Sequence, residues 1–211
     1  MKIGITGHQG IIGGAVAQQM SQEGHEVIKL DDYTRACATE NWSLDEYPKA
    51  LEWVLHFGAK TSISESWKDP FSTHANNFNS TLLALKIAHS SKASFIFMSS
   101  YVYGPTQYLP INEQHPVRSV NPYMGSKLLG ESLCKQFSEQ FKIPLVILRG
   151  FNIYGNVLIP GRLISDLIES IKLGKSLVLN DPNPKRDYLY IEDFKALILN
   201  YLPKAIQNKD I

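Results

Sequence analysis

Tyr123 and Lys127 stand four residues apart in Asn121-Pro122-Tyr123-Met124-Gly125-Ser126-Lys127. Leu128, Leu129, Leu133, Phe137 and Phe141 continue the segment as an apolar stripe, which predicts a helix from Pro122 to about Phe141. At that spacing both side chains share one helix face. An ammonium beside a phenol stabilises the phenolate, so the tyrosine pKa falls and it can act as a base near neutral pH. A surface helix also produces such pairs by chance. Ser99 follows the apolar run Ser94-Phe95-Ile96-Phe97-Met98, which reads as a buried strand. A hydroxyl at the carboxyl end of that strand can hydrogen-bond a substrate oxygen while Tyr123 moves its proton. By itself, Ser99 is also an ordinary strand-end serine.

The element that must position these groups lies at the start of the chain. Lys2 to Thr6 reads as a short buried strand, and Gly7, Gly10 and Gly13 follow at intervals of three. Ile11, Ala15, Val16 and Met20 then open a helical stripe that Gly24 stops. Gly7 permits the turn, Gly10 lets backbone approach a pyrophosphate, and Gly13 lets the helix pack close to the strand. The helix N-terminus then offers unpaired N–H groups to the anion. A second strand, Glu26 to Leu30, runs into Asp31, at the spacing where an acid meets adenosine ribose hydroxyls. A carboxylate there repels a 2′-phosphate, which favours NAD over NADP. Three glycines alone could serve as turn and packing residues; strand, helix and Asp31 together argue for a dinucleotide.

The rest of the chain keeps alternating. Trp53 to Phe57 reads as a strand, followed by Gly58 and Ala59, which a doubly wound fold would set against the cofactor together with Phe57. Asp69-Pro70 starts a long helix to about Ser91, and Pro144 to Leu148 is a strand that ends in Arg149. The segment 31–49 is polar and too short for a full crossover; an adenine contact near Asn41 or Trp42 is a guess. Further on, we expect a helix from Pro160 to about Leu173, a strand from Ser176 to Leu179 and a helix from Glu192 to Leu202. The alternation predicts an α/β fold, a Rossmann-type doubly wound domain with a mostly parallel sheet.

Composition narrows the function classes. Net charge is +1 with the basic residues scattered, so nothing suggests a nucleic-acid surface. No apolar run approaches a membrane span, and a strand starting at residue 2 leaves no room for a signal peptide. Cys37 and Cys134 suit a reducing cytoplasm, and six dispersed histidines offer no metal-ligand spacing.

Seven segments, in order, resemble the extended short-chain dehydrogenase/reductase family, the NAD-dependent sugar-nucleotide epimerases and dehydratases. Thr6-Gly7-His8-Gln9-Gly10-Ile11-Ile12-Gly13 is similar to its T-G-x-x-G-x-x-G fingerprint, and His56-Phe57-Gly58-Ala59 to its H-x-A-A strand end. Asp69-Pro70 with Asn77 resembles its D-P…N segment. Ser99-Ser100-Tyr101-Val102-Tyr103-Gly104 resembles S-x-x-V-Y-G, and the Tyr123 segment N-P-Y-x-x-S-K. Leu148 to Gly155 resembles L-R-x-x-N-x-Y-G, and Arg186 to Asp193 resembles R-D-Y-x-x-V-x-D.

The resemblance implies roles for the matched residues. Tyr123 would be general base and acid. Lys127 would lower its pKa and bind the nicotinamide ribose. Ser99 would orient the reacting sugar hydroxyl. Gly7, Gly10, Ile11, Ile12 and Gly13 would line the pyrophosphate, and Asp31 would hold the adenosine ribose. Asn77 and Ser100 would belong to the substrate site. Asn152 and Arg186 would contact the diphosphate of a nucleotide sugar, a task that suits a guanidinium. The helices at about 71–91 and 122–141 match those that pair in dimeric relatives, which implies a homodimer.

The reaction follows from what stands beside Ser99. Family dehydratases carry an acidic pair directly after the Ser/Thr, and decarboxylases a glutamate. Ser100 and Tyr101 occupy those positions here. This favours a UDP-glucose 4-epimerase-like reaction through transient oxidation of a sugar hydroxyl. A keto-sugar-nucleotide reductase is the enzymatic rival. The family's substrate domain continues well beyond the length seen here, so the resemblance implies a Rossmann domain over 1–153 and a small, truncated substrate-binding region over 154–211. A relative that binds NAD without turnover is the alternative of a different class.

Overall fold

The computed structural model describes residues 1–31, 47–155, 157–158, 161–176, 178–179 and 183–207, the last five without their side chains. Five parallel strands form the central sheet: β1 (Lys2–Thr6), β2 (Glu26–Lys29), β3 (Trp53–His56), β4 (Ser94–Met98) and β5 (Leu145–Leu148), in the order β2-β1-β3-β4-β5. The expected doubly wound α/β architecture is therefore present. The guessed contacts at Asn41 and Trp42, and Cys37, lie outside the described residues.

Helices cover both faces of the sheet, so its inner strands bury apolar side chains on each. Ile3, Ile5, Trp53, Leu55, Ile96 and Met98 point to one side, where they meet α1 (Ile11–Gln22) and α6 (Ile191–Gln207). Val54, Phe95 and Phe97 alternate to the other side, where they meet α3 (Pro70–Ser91) and α4 (Pro122–Phe141). That two-residue alternation is the pleat of a parallel sheet buried on both faces. Full burial of a side chain such as Phe95 or Leu85 contributes about 1.5–3 kcal/mol.

Helix starts follow local chemistry. Asp69 accepts from the Ser72 amide at 2.9 Å ahead of Pro70, and Asn121 accepts from the Met124 amide at 2.8 Å ahead of Pro122. A capping oxygen followed by proline at the first helical position is a strong start signal. Helix α1 differs: Gly10 stands at its N-cap with no side-chain cap.

Three features depart from the sequence expectation. A short helix, α2 (Ile63–Lys68), is capped by Ser62 through the Glu65 amide at 3.2 Å. Two three-residue strands, β6 (Asn152–Tyr154) and β7 (Tyr188–Tyr190), pair in parallel as a second sheet, with Asn152 opposite Tyr188. Segments that short carry no readable period. The strand expected over 176–179 does not form in its described residues, Ser176, Val178 and Leu179; Val178 is 85% exposed. Helix α5 begins at Leu163 and runs to Lys172. Among the described residues, no helix is long and apolar enough to cross a membrane.

Candidate active site

A cleft of about 1230 Å³ opens at the carboxyl ends of β1, β3 and β4. Its cofactor end is the glycine turn. Gly7 has φ +73°, and a Cβ there would stand 2.7 Å from the Gly58 nitrogen, so the ends of β1 and β3 touch only because the side chain is missing. A Cβ on Gly13 would meet the Gly7 carbonyl oxygen at 2.2 Å. Ile11, Ile12 and Gly13 line the cleft, and first-turn amides have no intrahelical acceptor. An uncapped helix start behind a turn this tight fits a pyrophosphate. Phe57, Gly58 and Ala59 line the same end.

Asp31 is buried at the head of the cleft. Its carboxylate accepts from the Gly7 amide at 2.5 Å and the His8 amide at 2.9 Å, and it contacts the His8 ring. The acid thus holds the glycine turn in shape. A carboxylate has about four acceptor sites, so clamping the turn and meeting ribose hydroxyls are compatible.

Beneath the cleft runs a directed chain of hydrogen bonds. The Gly58 amide donates to Thr6 Oγ1 at 3.0 Å, and Thr6 Oγ1 meets His56 Nδ1 at 2.7 Å. His56 Nε2 meets Thr81 Oγ1 at 3.1 Å, and Thr81 donates to the Asn77 carbonyl at 2.7 Å. One direction satisfies every member: Thr6 gives its proton to Nδ1, and the Nε2–H donates to Thr81. Burial, then the charge of Lys127, pushes the His56 pKa down to about 3, so the ring is neutral.

Asn77 lies in this layer and not in the cleft. It is buried; its Oδ1 accepts from the Lys60 amide at 2.7 Å, and its Nδ2 donates to the Lys60 carbonyl at 3.1 Å and to Ser126 Oγ at 2.8 Å. Where a substrate role is expected, Asn77 ties the loop after β3 to α4 through these bonds and is absent from the cleft lining.

At the chemical end, Tyr123, Lys127, Ser99 and Ser100 all line the cleft. Lys127 is buried; its Nζ donates to the Met98 carbonyl at 2.7 Å and lies 4.9 Å from the centre of the Phe97 ring. Burial lowers its pKa to about 8. Tyr123 departs from expectation. Burial raises its pKa, while a hydrogen bond from the Ser100 side chain and the charge of Arg162 work in the opposite direction. Lys127 is directed at the Met98 carbonyl, and desolvation outweighs the groups that favour phenolate. Ser99 donates to Glu131 Oε1 at 2.6 Å, and Arg149 closes on the same carboxylate through Nε at 2.9 Å and Nη2 at 2.7 Å.

The substrate end is looser. Asn152 lines the cleft, but its Nδ2 donates to the Asp187 carbonyl at 2.9 Å, fastening β6 to β7. Arg186 does not join it: the side chain is exposed, donates to the Lys185 carbonyl at 2.9 Å, and stands outside the cleft lining. Two residues before β7, the chain has already left the wall that β7 forms. Arg162, ahead of α5, faces the cleft instead. Sequence reasoning missed Arg162, for which no local signal exists, and Glu131, for which one did: it lies one helical turn after Lys127. Tyr101 stacks on Phe151 at 5.8 Å and completes an aromatic wall beside Tyr123.

Known proteins resemble this chain in sequence and in fold. The profile of the NAD dependent epimerase/dehydratase family matches residues 3–211. A putative UDP-glucose 4-epimerase of Methanocaldococcus jannaschii is 28% identical over 90% of this chain and 69% of its own length. The dTDP-D-glucose 4,6-dehydratase of Homo sapiens is 29% identical over 74% of this chain and 45% of its own. Among solved structures, the UDP-glucuronic acid 4-epimerase of Bacillus cereus, in complex with UDP-glucuronic acid and NAD, superposes with a TM-score of 0.80. It is 26% identical and covers 96% of this chain and 73% of its own.

Proposed function

Because this chain belongs to the NAD-dependent epimerase/dehydratase family, we propose that it epimerises a nucleotide sugar by transient oxidation of a sugar hydroxyl. The observation that carries this reading is the distribution of acid in the cleft. Among the described residues that line it, Asp31 is the only carboxylate, and it is bound to the glycine turn at the far end from Tyr123. Expelling water or carbon dioxide calls for further acid–base groups beside the sugar, and Ser100 and Tyr101 stand in their place. Epimerisation needs none: a ketone turns over and is reduced from its other face.

NAD, when bound, supplies reversible hydride acceptance. The protein's own work is positional and acid–base. The α1 amides and the glycine turn would hold the pyrophosphate, Asp31 the adenosine ribose, and Lys127 the nicotinamide ribose. Tyr123 would take the proton of the sugar hydroxyl and return it. Arg162 gives the substrate end a cation where the diphosphate or an acidic sugar can meet it. Exposed Phe71, Phe78 and Leu129, on α3 and α4, support a homodimer built on that helix pair.

One feature favours a second reading. Helix α5 buries none of its residues and Arg186 stands outside the cleft, which suits a chain that binds NAD without turnover. A screen of UDP-, GDP- and dTDP-sugars with purified protein and NAD separates the two. Two epimers interconverting, and failing to do so in Tyr123→Phe, supports the epimerase. Saturable NAD binding with no product from any sugar sinks it in favour of the binding form.

A further inference from the structure

The end of β4 is held at three points. The Lys127 ammonium donates to the Met98 carbonyl at 2.7 Å, and the Ser99 amide donates to the Leu148 carbonyl of β5 at 2.8 Å. The third point is the Ser99 side chain, whose hydroxyl donates to Glu131 Oε1 at 2.6 Å; both residues are 3% exposed. Arg149, one residue past β5, grips that carboxylate through Nε to Oε1 at 2.9 Å and through Nη2 to Oε2 at 2.7 Å. A two-bond fork fixes a carboxylate in plane as well as in distance. The guanidinium in turn lies 5.1 Å from the centre of the Tyr103 ring. Burial works to raise the Glu131 pKa, but hydrogen bonds from Arg149 and Ser99 outweigh it and hold the group ionised. Glu131 stands outside the cleft lining, whereas Ser99 is part of it, so the carboxylate meets the cleft only through that serine. An ionised carboxylate only accepts, and a serine hydroxyl has one proton to give. With that proton directed at Glu131, the lone pairs of Ser99 Oγ are what remains for a ligand.

We propose that Glu131, clamped by Arg149, is a positioning residue for the sugar: it fixes the Ser99 rotamer and presents Ser99 to the cleft as a hydrogen-bond acceptor for a substrate hydroxyl. This rests on the epimerase reading above. An acceptor suits an alcohol, which has an O–H to give, and offers nothing to a carbonyl. Held in advance, it needs no rearrangement when the sugar arrives, and a misplacement of about 1 Å at a reacting centre is expensive in rate. Glu131 belongs to the same helix as Tyr123, two turns further on. One rigid element therefore carries the base and also aims the serine, which sets the spacing between them.

Glu131→Ala alone leaves the Arg149 charge unpaired and destabilises the chain for that reason. The informative variant replaces both partners, Glu131→Met with Arg149→Met, because an apolar pair of similar volume commonly keeps a fold as stable as a buried ion pair does. The full chain is assayed with NAD on the nucleotide sugar it converts, and Ser99→Ala is made in the wild-type and in the paired-Met background. The paired variant is expected to keep its urea midpoint while kcat falls roughly 10–10²-fold and KM changes less. Ser99→Ala then removes little further activity in that background, because both changes break the same interaction. Crystals of the paired variant show the Ser99 hydroxyl turned away from its wild-type rotamer. If the paired variant does not fold, the same comparisons are made on Glu131→Gln, which keeps one acceptor oxygen. Wild-type kcat in the folded variant overturns the proposal, and so does an equal loss from Ser99→Ala in both backgrounds. Should the wild-type chain convert no nucleotide sugar, the epimerase reading fails separately. The Ser99 rotamer in the two crystals then still decides whether Glu131 positions it, and an unchanged rotamer sinks the idea.

Discussion

The two ends of the cleft are built to different tolerances. At the cofactor end, the turn after β1 is braced from three sides: Asp31 holds two of its amides, Gly13 packs against its carbonyl, and Thr6 links it to His56 and α3. Every brace is backbone or a short buried side chain. At the substrate end, two three-residue strands and a helix with no buried residue form the wall, and Leu163, Leu167 and Ile171 of that helix stand open. A pyrophosphate has one shape and rewards a rigid cradle. The far wall is made from parts that can change without disturbing the sheet.

The largest effect should separate the ends by chemistry. Tyr123→Phe is expected to lower turnover by about 10²–10⁴-fold while NAD binding, followed by fluorescence titration, stays within a few fold. Parallel loss of NAD affinity would mean the two ends are not independent.

Glycine substitutions probe the same contrast through backbone space. Gly13→Val forces a side chain against the Gly7 carbonyl, so saturable NAD binding should disappear and stability fall by about 3 kcal/mol. Gly161 also has positive φ, +80°, but nothing lies within 4 Å of its added Cβ. Gly161→Ala should cost only the conformational strain, about 1–2 kcal/mol, and leave NAD binding intact. Equal losses in urea unfolding would erase the distinction.

The His56 brace makes the cofactor end sensitive to acid. Its folded pKa lies near 3, below the ordinary 6.5, so between those values the unfolded chain holds the extra proton. Stability from this group is fully present above pH 6.5 and is lost as pH falls toward 3, at up to about 1.4 kcal/mol per pH unit. In His56→Gln the neutral amide has no such titration. Urea midpoints measured from pH 7 to pH 5 should therefore decline less steeply than in the wild type. An identical slope in both would remove His56 from the account.

The smallest effect belongs to the open wall. Arg162→Ala should raise the KM for a nucleotide sugar by roughly tenfold, as expected for the loss of one charge-assisted bond. Arg186→Ala should change it by less, because that guanidinium donates to the Lys185 carbonyl and is not part of the cleft lining. The reverse ranking would show that the segment before β7 folds inward when substrate binds.

Much of the cofactor end was legible in residue order. Its signals are local: glycines at fixed intervals behind a strand, an acid after the next strand, a capping residue ahead of a proline. Each depends on backbone geometry within a few residues, and the helices at 122–141 and after Asp69 appear with bounds within a residue of those expected. The family, the parallel sheet and the Tyr123–Lys127 helix came from the same kind of evidence in the chain. Contacts between distant segments could not be read this way. Asn77 was assigned to the substrate, but its amide meets Lys60 and Ser126, residues that only folding brings near. Lys127 was expected to depress the Tyr123 pKa, yet its ammonium turns to the Met98 carbonyl and burial sets the sign. Motif order placed Ser99 in the reaction and Arg186 on the phosphates; that Ser99 donates to Glu131, and that Arg162 rather than Arg186 lines the cleft, depends on how strands and helices pack. Identity and spacing determined which groups this protein possesses. Their protonation and direction were decided by tertiary structure, because desolvation and hydrogen-bond partners arise from segments far apart in the chain.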